Sequence, residues 1–63
     1  MSAPERLRNA RALLATVHDE LDRAAGELPD LEAHAARELR GDVQEVQRRV
    51  ANLLLFAERA KAS

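Results

Sequence analysis

Leucine recurs every seven residues through the first half of the chain, at Leu7, Leu14, Leu21 and Leu28, with Ala10, Val17, Ala24 and Leu31 interleaved three residues further on. A strict seven-residue apolar repeat keeps one seam of a helix against a neighbouring helix in a shallow left-handed crossing. The second half does the same with Ala36, Leu39, Val43, Val46, Val50, Leu53, Ala57 and Ala60. The pattern predicts an all-α chain of two helices, about 4–27 and 30–61, forming one helical-hairpin domain over residues 1–63. Ser2 is placed to cap the first helix, with Pro4 suited to its first turn and Glu5 near the positive end of its dipole. Gly26 and Pro29 close it, the glycine as the usual residue at a helix C-terminus and the proline by disfavouring helical geometry at Leu28. Asp30 is the candidate cap of the second helix, with Glu32 in its first turn.

Gly41 is the one local conflict. It costs about 1 kcal/mol against Ala in a helix interior, and Asp42 with Glu45 has the spacing of a capping box. A kink or break there would give three helices. The seam passes through Gly41 without a change of phase and leaves it on the outward side, which favours a continuous helix.

A turn centred near Leu28 and Pro29 sets Leu21 level with Ala36, Leu14 with Val43 and Leu7 with Val50, so large seam residues oppose smaller ones and the helices can approach closely. Two helices do not enclose the stripe, because Leu13, Leu54 and Phe56 widen it. The predicted solution is a homodimeric four-helix bundle. Its interface would comprise Leu7, Leu13, Leu14, Val17, Leu21, Leu39, Val43, Val46, Val50, Leu53, Leu54 and Phe56. Leu55 should point away from the seam, and in this register the second helix outruns the first. The segment Leu53–Phe56 is therefore expected to lack cover within the chain and to be buried by dimerisation, the alternative being a patch, with Leu55, that recruits another protein or drives a higher oligomer.

Composition supports oligomerisation. A core in a chain of 63 residues supplies only roughly 3–5 kcal/mol, so a staple or a partner is needed. With no cysteine there is no disulfide, and two isolated histidines build no structural zinc site. Thirteen Ala and ten Leu against four Val, one Phe and no Ile, Trp or Tyr reinforce the helical reading. The Ala, Arg and Leu bias is of the kind a GC-rich bacterial genome produces. Val50–Ala57 is far shorter than the ~20 residues of a membrane span. Met1–Pro4 leads into a charged helix without a hydrophobic signal region, from which a cytoplasmic location is expected.

Net charge is −1, but the charges are segregated. Residues 1–17 carry +2 (Arg6, Arg8 and Arg11 against Glu5) and residues 18–32 carry −5 (six carboxylates against Arg23). Residues 33–45 carry −1, and residues 46–63 carry +3 (Arg48, Arg49, Arg59 and Lys61 against Glu58). A hairpin thus has an acidic turn and a basic open end. Two hairpins with turns at opposite ends would set acid beside base. The hairpin pattern over residues 5–61, with its mixed small and large seam residues, resembles the Rop-like bundles built from two antiparallel hairpins. That resemblance implies an architecture, and no RNA-contact motif carries across residue by residue.

The remaining chemistry is sparse. His18 has Asp22 one turn on and His34 has Glu38, spacings that suit a general base or a ligand pair, but also an ordinary surface pairing. In the antiparallel register His18 falls near Leu39, so the histidines do not converge. Asp19, Glu20, Asp22, Glu27, Asp30 and Glu32 surround the turn without the alternating ligands and glycine of a calcium loop. Arg6, Arg8, Arg11, Arg48, Arg49, Arg59 and Lys61 gather at the open end and could neutralise several phosphates, although Phe56 is the only ring available for base stacking. The seams carry essentially no inward polar group from which to build catalysis. The expected function is a non-catalytic assembly or protein-interaction module, without metal or cofactor, whose partner is a second copy. The alternative is a small nucleic-acid-binding regulator using the basic end.

Overall fold

A computed structural model of the chain describes residues 2–62, with side chains described for residues 2–60. It contains two helices, α1 over Ala3–Glu27 and α2 over Asp30–Ala62, and no strand among the described residues. Their ends follow from local chemistry. Ser2 is extended (φ −78°, ψ 163°); its hydroxyl accepts the Glu5 N–H at 3.3 Å and its carbonyl the Arg6 N–H at 3.0 Å. The hydroxyl thereby satisfies one of the donors that a helix start leaves open, and the carbonyl accepts the first bond of the helix.

The other end of α1 departs from expectation. Gly26 stays helical, no described residue has a positive φ, and the helix runs on to Glu27. Termination belongs to the proline: Leu28 is extended (φ −95°, ψ 154°) because a following proline crowds the helical conformation. Pro29, not Asp30, sits at the capping position of α2, since its carbonyl accepts the Ala33 N–H at 2.7 Å. Asp30 is the first residue of the helix, where with Glu32 it places negative charge against the positive dipole end. α2 passes through Gly41 without a break, so the three-helix alternative falls away.

At 1.5 Å per residue the 33 residues of α2 rise about 50 Å. That is the long dimension of the hairpin, 50 × 18 × 10 Å, a slab one helix thick. Two cross-helix ion pairs mark the antiparallel pairing, Arg40 with Asp22 toward the turn and Arg8 with Glu58 at 2.8 Å toward the open end.

The column of every seventh residue lies where it was expected. Leu7, Leu14 and Leu21 are half-buried, as are Val43 and Val50, and Ala36 is buried. The second column of each helix is different. The buried or half-buried residues beside it are Pro4, His18 and Ala25 on α1, and Ala33, Arg40, Gln47 and Leu54 on α2. Val17, Leu39, Val46 and Leu53, the expected seam, are exposed. Each helix is rolled so that it meets its neighbour along the opposite edge of its apolar stripe. Two features favour that edge: Ala25, Ala33 and Ala36 permit close approach near the turn, and Asp22, Arg40, Arg8 and Glu58 can pair only from that side.

A further correction concerns the open end. Leu54 is buried within the hairpin, and Glu58 reaches Arg8. The segment Leu53–Phe56 therefore lies against the start of α1 and does not overhang it.

Both glycines are helical, and a Cβ built on either meets nothing within 4 Å. Gly41→Ala and Gly26→Ala should each stabilise the fold by about 0.5–1 kcal/mol through the lost backbone entropy of the unfolded chain. Chemical denaturation followed by circular dichroism checks this. A loss of stability at Gly26 would mean that the glycine closes α1 in a left-handed conformation after all.

Candidate functional site

The residues left outside the hairpin contact form a face of their own. Val17 lies three residues beyond Leu14 on α1, and Leu39, Val46 and Leu53 lie three residues beyond Ala36, Val43 and Val50 on α2. Both sets are rotated in the same sense from the contact line. On antiparallel helices an equal rotation carries both to the same side of the pair. Leu13 on α1 and Phe56 on α2 extend this side. Leu13 is 68% exposed, Leu39 and Leu53 54% each, and Phe56 66%. Exposed apolar residues scattered singly are ordinary, but a run on one face of a slab marks an interaction surface.

The twelve residues predicted as an oligomer interface thus separate into two groups. Leu7, Leu14, Leu21, Val43, Val50 and Leu54 serve the hairpin, and Leu54 belongs to its interior. Leu13, Val17, Leu39, Val46, Leu53 and Phe56 remain available for a partner. The four residues Leu53–Phe56 do not form one patch. Successive helical positions turn by about 100°, so Leu53 and Phe56 join the apolar face, Leu54 turns inward, and Leu55, 55% exposed, stands on the reverse side.

The reverse side is polar. Arg8, Arg11, Ala12, Ala15 and Gln47 bound an open groove of about 360 Å³, its floor made shallow by the alanines. The expectation of seams without polar groups does not hold, since His18, Arg40 and Gln47 are half-buried along the contact. Arg40 is held by Asp22, which takes that carboxylate away from its expected partner; His18 instead lies 3.5 Å from Asp19. His34 does meet Glu38, Nε2 to Oε1, at 3.0 Å. The two histidines stay on separate helices, each beside its own carboxylate. No described group of three or more His, Asp or Glu residues is arranged to hold a metal ion. Among the described residues no buried side-chain N or O lacks a hydrogen-bond partner.

The predicted basic patch is dispersed. Arg6 and Arg49 flank the apolar face, Arg8 and Arg48 project from the reverse side, and Arg59 from the outer side of α2, positions given by the helical rotation. Arg8 is paired with Glu58, and Glu45 accepts from Arg48 at 3.1 Å and from Arg49 at 3.3 Å. The Lys61 side chain lies outside the described residues. No continuous cationic stripe of the kind that tracks a phosphate backbone results. Among the described residues no helix is long and apolar enough to cross a membrane. The chain matches no family model, no curated protein and no solved structure.

Glu45 has the most perturbed acid. The Arg48 hydrogen bond holds its carboxyl below the usual range, desolvation opposes it, and the charges of Arg48 and Arg49 add to the lowering; Arg48 is raised in return. A carboxylate whose folded pKa is depressed adds stability above its unfolded value, about 4.3, and loses that contribution as the pH falls through the folded value. Glu45→Gln should lower the melting temperature slightly at pH 7, by a margin that closes as the pH falls below the usual carboxylate range and shrinks in about 1 M salt. Thermal melts across pH and salt read the difference; a margin unchanged at low pH would mean that Glu45 acts by packing alone.

Proposed function

We propose that the chain is a non-catalytic assembly module, a helical hairpin that completes its fold by packing against a second copy as a four-helix bundle. One observation carries this reading: the apolar stripe of each helix is wider than the single line along which two helices touch, and Leu13, Val17, Leu39, Val46, Leu53 and Phe56 are left together on one side. The hairpin's own interior is small. Among the described residues its buried apolar side chains are Ala25, Ala33, Ala36 and Leu54, with Pro4 at the start of α1. Alanines bury little area at about 25 cal/mol per Å², so most of the available hydrophobic stabilisation lies on the uncovered face.

A second copy is the economical cover. The face is a flat strip presented by two parallel ridges, and a twofold axis makes it complementary to itself. Covering it would give each hairpin two further helix neighbours and the layered packing of a bundle. The polar residues of the contact edge, Arg40 and Gln47, would then lie away from the new interior, on the reverse side.

Sedimentation equilibrium of the purified chain should give a species of twice its 7.0 kDa mass at micromolar concentration. Helical signal should fall on dilution in step with dissociation. Burying a leucine contributes about 1.5–3 kcal/mol, and Leu39 enters the interface twice, so Leu39→Glu should weaken association at least a hundredfold. Leu55→Glu, on the reverse side, should leave it unchanged. A wild-type chain that is monomeric and fully helical at these concentrations would refute the reading.

A further inference from the structure

We propose that the two copies pack with their turns at opposite ends, α2 crossing the α2 of the second copy at Val46, so that Asp42 of each faces the partner's Arg49. The proposal rests on the self-association argued above and specifies its geometry.

The spacing of the apolar face carries the first part. Leu39 and Leu53 lie seven residues to either side of Val46, and all three are exposed on one side of the hairpin. When a helix meets an antiparallel copy of itself about a residue, positions equally far before and after that residue come level. A crossing at Val46 sets Leu39 beside the partner's Leu53 twice over. The same rotation makes α1 the neighbour of the partner's α1, crossing near Leu13 with Val17 one turn beyond. Side chains lean toward the N-terminus of their own helix. On antiparallel α1 and α2 this lean brings the centres of the two rows to one height.

Charge carries the second part. Asp42 lies four residues before Val46 and Arg49 three after, both exposed at the margin of the face. Crossing at Val46 therefore brings each Asp42 to within one residue of level with the partner's Arg49, and Arg6 of α1 comes level with the partner's Glu20. The other twofold arrangement, with both turns at one end, lays α1 over the partner's α2. There Glu20 comes within about a helical turn of Asp42, and Arg6 of Arg49, which sets like near like. The apolar residues fit either way. The margin charges separate the two, because an orientation is rejected most effectively by the repulsion it would create.

The chain has no cysteine, so a single Glu27→Cys substitution places one spin label near each turn. With turns at opposite ends, the 1.5 Å rise per residue predicts label separations of roughly 45–50 Å; turns at one end would bring them within about 20 Å. A second experiment reads the charges. Asp42→Arg and Arg49→Glu should each weaken the homodimer, and mixing the two variants should yield the heterodimer in about tenfold excess over a random distribution. Residues 42 and 49 are too far apart in one helix to interact within it, so that preference has to come from contact across the interface. Dimers with labels close together, or variants that mix at random, would overturn the orientation while leaving self-association intact. A labelled chain that stays monomeric in sedimentation would overturn both.

Discussion

Two helices lying side by side touch along a single line, and each helix of this chain carries an apolar stripe wider than that line. The architecture follows from the mismatch. A stripe restricted to strict alternating positions would be consumed by one neighbour. Here Leu7, Leu14 and Leu21 occupy the centre, with Pro4, His18 and Ala25 on one flank and Leu13 and Val17 on the other. The hairpin closes on the first flank and exposes the second.

That choice places chemistry as well as surface. The contacting flank is rich in alanine near the turn, which lets the backbones approach, and it brings together Asp22 with Arg40 and Arg8 with Glu58. These exposed ion pairs add little stability individually, but they are available only with the helices rolled this way. The outer flank leaves Leu13, Val17, Leu39, Val46, Leu53 and Phe56 exposed.

The histidines illustrate how helical spacing can suggest chemistry that a fold does not assemble. His34 meets Glu38 as an i,i+4 pair would. His18 had an equally well-spaced carboxylate in Asp22, yet that group pairs with Arg40 across the hairpin. A cation from another helix is a competitor that no local spacing records. The basic residues behave similarly: grouped at one end along the chain, they are dealt around the circumference by the helical rotation, and Glu45 and Glu58 pair with three of them.

What the sequence by itself determined was set within a few residues or by the seven-residue period: two helices, the capping of the first by Ser2, the stop before Pro29, continuity through Gly41 and the central column of the seam. These depend on backbone geometry and on neighbours one or two turns away. Only the tertiary structure decided which flank of the stripe meets the other helix. Both flanks continue the same repeat, so periodicity is equally satisfied by Leu39, Val46 and Leu53 or by Ala33, Arg40, Gln47 and Leu54. The choice depends on how closely two backbones can approach and which charges meet across the gap, quantities that exist only between the helices. The column 33, 40, 47 and 54 is a second heptad line interrupted by Arg40 and Gln47, and no local signal marks it as the contact. In a hairpin one helix layer thick, a long polar side chain can lie along the contact and still reach water.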